Sequence, residues 1–416
     1  MKQIKINGNN ILEGTINIGG AKNSAVALVP ASILSDDEVV INNLPNISDI
    51  NALTLILNYL NVKVDKKNNT IKIKSTNLIN KEIPKEIAQK LRASYYFMSA
   101  LLGKYKHVEM YFPGGCSIGA RPIDQTLKAF KLLGANIKEQ NDKFTITANE
   151  LIGNHIILDM PSVGATINTI LVAVKAKGET TLENAAKEPE IVNLVEFLNG
   201  MGAKITGAGT NKIKIIGVEK LGKSEIDVIP DRIEAGTYII AGALVGKNLK
   251  IKNIIPEHIK SLTDKLIEMN VNLKIDDNSI LVSKSENLKP VNIKTLGYPG
   301  FPTDLQQPMV TLLTQANGIS NVEETIYENR FQNIDYLNLM GSNIEKNKTL
   351  HINGKSNLIG KNVKATDLRA GACLILAGLI ANGITVVTNV EHVLRGYENI
   401  IEKLTNVGAK IKIEEI

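Results

Sequence analysis

The 416-residue chain has no tryptophan, two cysteines, five histidines and only 4% aromatic residues. Two cysteines in unlike settings make no disulfide framework. Without four His or Cys at ligand spacing, a structural zinc site is not expected. Scarce aromatics argue against a platform on which single-stranded nucleic acid would stack. Long apolar runs are missing too: TYIIAGALVG and GACLILAGLIA fall short of a bilayer span, and the opening MKQIKINGNN carries no apolar signal segment. A net charge of +6 is modest for this length and suits a few anion sites better than a nucleic-acid stripe. The expectation is a soluble cytoplasmic protein of two or three domains, with no nucleic-acid partner and no membrane insertion.

What is present is a repeat. LNYLNVKV, KLLGANI, NGMGAKI, IEMNVNLKI, NLMGSNI and LTNVGAKI each end an apolar-periodic helix, pass through Gly or Asn and begin an alternating strand. Gly or Asn there suits a left-handed helix C-cap. The capping residues Asn61, Gly134, Gly202, Asn270, Gly341 and Gly408 are spaced 67 to 73 residues apart. A fixed period means one supersecondary unit used six times, here read as strand, helix, strand, helix, strand, strand. In the second unit a helix is expected over 85–102, ended by Gly103, and another over 123–133. Units of about 70 residues are small for independent domains, so three and three is the expected grouping, divided near Pro230-Asp231. The period exceeds the roughly 20–45 residues of linear solenoids.

Several stretches could carry chemistry. In INIGGAKNSAVAL a strand ends at Gly19-Gly20 and a helix opens near Asn23 or Ser24, with Lys22 at an anion-attracting helix mouth. Taken alone it reads as a tight glycine turn with a solvated lysine. Arg92, beside Leu91 on a helix flank, alone reads as a snorkelling arginine. PGGCSIGARPID (113–124) is a loop that holds Cys116 between glycines near Arg121, whereas Cys373 sits in an apolar run. A thiol on such a loop suits a tuned nucleophile or acid, and Pro122 suits the first turn of the next helix. In LDMPSVGATIN, Ser162, Val163 and Gly164 offer backbone N–H groups to an anion, or form an ordinary capped turn. Glu188, Glu190 and Asp231 lie at helix starts, where the dipole explains them. Asp304, closing the loop GYPGFPTD, is a helix N-cap or a general base. Arg330, Arg369 and Arg395 are read near helix starts, against the local preference. Together with Lys22 and Arg121 they suggest a site for a small, multiply charged anion.

In order along the chain, GGAKNSA, LRAS, PGGCSIGARPID, PSVGAT, AAKEPEIV, PDRIEAGT, FPTDLQ, ENRF, TDLRAGA and RGYE resemble the enolpyruvyl transferases over essentially its whole length. The resemblance implies an α/β fold, a two-domain inside-out barrel of six β-α-β-α-β-β repeats, three per domain, with helices inside. One domain would hold 1–20 and 230–416; the other would hold 21–229 with a cysteine lid loop at 112–122. The implied reaction moves the enolpyruvyl group of phosphoenolpyruvate to an acceptor hydroxyl by addition and elimination of phosphate, with no metal and no organic cofactor.

The cysteine loop resembles the branch whose acceptor is the 3-hydroxyl of UDP-N-acetylglucosamine, in peptidoglycan synthesis, and argues against a shikimate 3-phosphate acceptor. A non-catalytic nucleotide-sugar sensor would have lost Asp304, Cys116 or an anion-binding arginine. By motif match, Lys22, Asn23, Arg121, Arg330, Arg369 and Arg395 are expected at phosphoenolpyruvate. Arg92, Arg121, Pro122, Ile123, Asp124, Gln125, Ser162, Val163, Gly164, Asp304 and Ile326 are expected at the nucleotide sugar. Cys116, Asp304, Lys22 and Arg395 are the expected catalytic residues, with Cys116 the acid and the sulfur at which the resemblance implies covalent inhibition by the epoxide fosfomycin. Thr126 and Met160 stand where many or some members carry a histidine and a basic residue.

Overall fold

The computed structural model describes residues 2–114 and 122–415. The chain divides into two units. One, the Asp304 unit, holds the chain up to Gly19 and from Pro230 onward; the other, the Lys22 unit, runs from Gly20 through Ile229. Gly20 goes with the Lys22 unit, not with the strands before it, because it lies against the Asn43 carbonyl, where a Cβ would sit 1.8 Å from the oxygen. Among the described residues no helix is long and apolar enough to cross a membrane.

The six capping positions share one conformation. Asn61, Gly134, Gly202, Asn270, Gly341 and Gly408 have φ of 60°, 97°, 100°, 66°, 104° and 102°. After each, the next backbone N–H reaches back to a carbonyl five residues earlier, from Val62 to Leu57 through Ala409 to Leu404, at 2.9–3.1 Å. These bonds satisfy carbonyls that a helix end would otherwise leave open. The cap then aims the chain into a strand.

Among the described residues there are six sheets, five of four strands and one of three. All follow one plan. In the sheet of Ile293–Lys294, Ile319–Glu323, Asn343–Lys346 and Thr349–Asn353, the first strand runs parallel to the second. The second pairs antiparallel with the far strand of the closing hairpin. In the three-stranded sheet a lone parallel bridge between Ile83 and Met110 takes the place of the first strand. In the Lys22 unit, Ser224–Asp227 supplies the first strand beside Glu38–Asn42, so the last strand of the unit closes its first repeat. In the Asp304 unit, Leu12–Asn17 does the same beside Gly246–Lys252, and Lys2–Asn7 enters the last sheet between Ile384–Thr388 and Ile411–Glu415.

A helix leads into the second strand of each repeat, and in four of the six it is the crossover that a parallel strand pair needs. In the Asp304 unit these are Arg232–Val245, Thr303–Leu313 and Leu368–Ile380, which pack on one another. They are buried on all faces, as helices apolar around their whole circumference must be. Some of the polar side chains inside are paired: Thr311 Oγ1 donates to the Cys373 carbonyl at 3.1 Å, and Asn333 Nδ2 to Cys373 Sγ at 3.2 Å. In the Lys22 unit the corresponding helices are Lys22–Ala31, Tyr95–Tyr105 and Val163–Ala173. There Ser24 pairs with Asn193 and Ser99 with Asn168.

Two expectations are corrected. The helix over 85–102 is broken into Lys85–Ala88, a 3-10 turn at Arg92–Ser94 and Tyr95–Tyr105, and it ends past Gly103 at Lys106. Leu91 is extended and Ser94 Oγ closes the break on the Ala88 carbonyl at 2.7 Å. Arg395 follows the one-turn helix Glu391–Leu394 instead of opening a helix; left-handed Asn399 then separates it from Ile400–Asn406. At Gly202 a Cβ would meet no atom within 4 Å, so Gly202→Ala isolates the backbone strain of the cap. It is expected to lower stability by about 1–2 kcal/mol, read as a fall in the denaturant midpoint at unchanged slope.

Candidate active site

In the Asp304 unit the N-termini of two inner helices meet at one carboxylate. Asp304 is the second residue of Thr303–Leu313, whose N-cap is Pro302, and it makes no capping bond, so the N-cap reading is excluded. Its Oδ1 accepts from Arg330 Nη2 at 2.7 Å and its Oδ2 from Arg369 Nη2 at 3.0 Å. Both arginine side chains are 3% exposed and Asp304 is 25% exposed. Pro308 has no N–H to give to the Asp304 carbonyl one turn back, so the first turn is braced by these side-chain bonds.

Burial alone would raise the Asp304 pKa, but Arg369 and Arg330 outweigh it and hold the carboxyl far below the usual carboxylate range. Burial likewise works against the Arg369 charge, and Tyr397, Asp304 and Asp231 overcome it and strengthen the hold on its proton. The result is one anion between two cations, a locally positive cluster beside helix N-termini that are themselves positive.

Neighbours fix the cluster. Asp367 caps Leu368–Ile380 by accepting from the N–H groups of Arg369 and Ala370 at 2.8 and 3.0 Å. Gln307 Nε2 donates to Asp367 Oδ2 at 3.1 Å and to the Arg330 carbonyl at 3.2 Å. The Arg369 guanidinium lies 5.1 Å from the Tyr397 ring centroid, and the Tyr397 hydroxyl bonds Thr237 Oγ1 at 2.8 Å. Asp231 caps the third inner helix through the N–H groups of Ile233 and Glu234.

The Lys22 unit gathers its own set. Lys22, first residue of its helix, pairs with buried Asp49 at 2.7 Å. It is therefore not the solvated lysine that the motif alone suggests. Arg92 opens the 3-10 turn and lies 5.6 and 5.5 Å from the Tyr95 and Phe112 rings, so it is held by aromatic faces. Ser162 caps Val163–Ala173 through the Ala165 N–H, leaving the first N–H groups, of Val163 and Gly164, ahead of the helix's own bonds. Gln125 Oε1 accepts from the Asp159 and Met160 N–H groups at 2.8 and 3.4 Å, tying Asp124–Leu132 to that turn; Met160 is exposed. Thr126 is buried in that helix, Ile123 is its buried N-cap and Pro122 is exposed. Asn23 is half-buried and Ile326 exposed. Glu188 and Glu190 are both buried, and Glu188, at the N-cap, makes no side-chain capping bond. Cys116, Arg121 and most of the expected lid loop lie outside the described residues. Cys373 is buried, and burial pushes its thiol up to about 12.

The family model for EPSP synthase (3-phosphoshikimate 1-carboxyvinyltransferase) matches residues 6–404. The chain belongs to the enolpyruvyl (1-carboxyvinyl) transferase family. It is 50% identical over 413 residues to UDP-N-acetylglucosamine 1-carboxyvinyltransferase 2 of Bacillus subtilis (strain 168), covering 99% of this chain and 96% of that one. It is 49% identical over 418 residues to the protein of the same name from Clostridium acetobutylicum, covering 100% of each. Among solved structures, the enolpyruvyl transferase NikO from Streptomyces tendae matches with a TM-score of 0.91 at 26% identity, covering 99% of both chains. EPSP synthase from Acinetobacter baumannii, with a TM-score of 0.75 at 19% identity over the whole of both chains, shares the fold.

Sequence reasoning passed over Glu234, in the first turn of Arg232–Val245. It accepts from Lys403 Nζ at 2.6 Å and from the Gly19 N–H at 3.1 Å, where the chain leaves this unit. Burial raises its pKa to about 7 against the pull of Lys403, from roughly 4.3 in an unfolded chain. Between those values the native state holds a proton that the unfolded state has released, so stability falls as pH rises through the window. Glu234→Gln is expected to remove that slope, and parallel denaturant titrations of both proteins from pH 4.5 to 8 will read it. Identical slopes would mean that Glu234 is already ionised throughout.

Proposed function

We propose that the chain transfers the enolpyruvyl group of phosphoenolpyruvate to the 3-hydroxyl of UDP-N-acetylglucosamine and releases phosphate, in the cytoplasm, as the opening step of peptidoglycan synthesis. Full-length relatives at about half identity are named for this reaction on this acceptor. The observation that carries the reading is Asp304 held by Arg330 and Arg369 at converging helix N-termini. A nearly trivalent donor anion needs fixed cations in a low-dielectric site.

The chemistry assigned to these side chains follows from their electrostatics. In the free protein Asp304 is a poor base, because a proton would have to displace two guanidinium contacts. The donor's carboxylate and phosphate compete for Arg330 and Arg369. As they draw off guanidinium hydrogen bonds, Asp304 regains proton affinity and accepts the proton of the attacking hydroxyl. The hydroxyl oxygen bonds to C2 of the donor while C3 gains a proton, for which Cys116 is the assigned acid. The tetrahedral ketal then loses phosphate from C2, which carries away the proton held by Asp304, while the Cys116 thiolate takes one C3 proton back, leaving the enol ether and restoring both side chains. Lys22, Asn23, Arg121 and Arg395 are assigned to the donor. Arg92, Arg121, Pro122, Ile123, Asp124, Gln125, Ser162, Val163, Gly164, Asp304 and Ile326 are assigned to the nucleotide sugar.

Phosphate release is the test. It is expected with phosphoenolpyruvate plus UDP-N-acetylglucosamine, unchanged by a chelator, and absent when shikimate 3-phosphate is the only acceptor. Asp304→Asn keeps the shape without the base, and a loss of about 10²–10⁴-fold in kcat is expected in a folded protein. Turnover with shikimate 3-phosphate, or none with the nucleotide sugar, would defeat the reading.

A further inference from the structure

Arg330 is held from several directions, and two of the supports run to one side chain outside the set above. Glu324 stands just past the strand Ile319–Glu323. Its Oε2 accepts from Thr303 Oγ1 at 2.8 Å. Its Oε1 accepts from Thr295 Oγ1 at 2.9 Å and from the N–H groups of Ile326 and Tyr327 at 2.8 and 3.2 Å. We propose that Glu324 is the positioning residue for Arg330, setting the hydroxyl and the ring that orient the guanidinium toward the donor; this rests on the donor-binding role of Arg330 proposed above.

The direction of each bond makes the case. A threonine hydroxyl has one proton and two lone pairs. Thr303 spends its proton on Glu324, so its lone pairs are left for Arg330 Nη1, which donates at 2.9 Å. An arginine can only donate, so a Thr303 rotor turned the other way would meet it proton to proton. Glu324 therefore fixes the sense of a two-bond chain that ends on Arg330, whose Nη2 holds Asp304. The two N–H bonds to Oε1 fold the segment after Glu324 so that the Tyr327 ring centroid lies 5.3 Å from the Arg330 guanidinium carbon. Thr295 anchors the same turn twice more, through the Thr325 N–H at 2.9 Å and the Thr325 hydroxyl at 2.6 Å. The neighbouring Glu323 does none of this: it makes an outward ion pair with Lys294 at 3.0 Å.

The alternative is that Glu324 merely closes a turn. A double-mutant cycle separates the two. Glu324→Gln puts a donor where Thr303 needs an acceptor, and Thr303→Val removes the hydroxyl at constant shape. Each single variant is expected to lower kcat/KM for phosphoenolpyruvate, at saturating UDP-N-acetylglucosamine, by about 10- to 100-fold, the range of a hydrogen bond to a charged group. The double variant is expected to fall little below the weaker single one, because both cut one chain. Glu323→Gln is expected to match wild type, and melting temperatures identify any variant whose loss is unfolding. Multiplicative losses, or wild-type kcat/KM in Glu324→Gln, would overturn the proposal. If Glu324→Gln does not fold, a folded Thr303→Val with unaltered kcat/KM overturns it alone. A wild type that releases no phosphate from the substrate pair would defeat the reading of the site and this role with it. An active wild type with multiplicative losses would defeat only the role.

Discussion

The bridge from Arg330 through Asp304 to Arg369 is the interaction on which the rest of the Asp304 unit turns. Two guanidiniums that are almost fully buried would be prohibitive alone, because desolvating each charge costs several kcal/mol. One carboxylate between them offsets part of that cost and leaves a net positive charge. The cluster is thus a store of cation that cannot disperse into water, and its unsatisfied half is what a multivalent anion can complete. It also restrains its own base: the contacts that allow the arginines to be buried are those that keep Asp304 ionised. On the function proposed above, substrate binding and base strength are coupled through the same hydrogen bonds.

That cluster depends on the repeat. Asp304 and Arg369 come from helices in consecutive repeats, each entered at its N-terminus from a first strand that runs parallel to the second. Since these two helices make the same kind of crossover, they run the same way and bring their N-termini to one end. Six left-handed caps return the chain from the second helix of each repeat to its hairpin. A glycine or asparagine outside the cluster is therefore part of what places the arginines.

The periodic features were legible because their causes are local. A Gly or Asn after an apolar-periodic helix needs only its own φ to be recognised, and all six positions adopt it. The break in the 85–102 helix was not legible: the apolar spacing continues through Leu91, and what interrupts it is Ser94 bonding back to Ala88 while Arg92 lies against Tyr95 and Phe112. Arg330, Arg369 and Asp304 could each be named from motif resemblance. Their mutual pairing could not, since Asp304 lies 26 and 65 residues from its partners. Nor does the doublet Glu323-Glu324 reveal which carboxylate turns inward; that is decided by where the strand ends and by Thr295 and Thr303 waiting on other elements.

Two buried arginines keep Asp304 ionised in the free protein, and on the function proposed above donor binding loosens their grip. The direct measurement is the ¹³C chemical shift of the Asp304 carboxyl carbon, assigned by comparison with Asp304→Asn and followed from pH 8 downward, without and with phosphoenolpyruvate plus UDP-N-acetylglucosamine. A flat ionised shift through the ordinary carboxylate range near pH 4 is expected in the free protein, and a titration displaced upward in the substrate complex. A free-protein inflection at or above pH 4, or no upward displacement with substrates, would contradict this coupling.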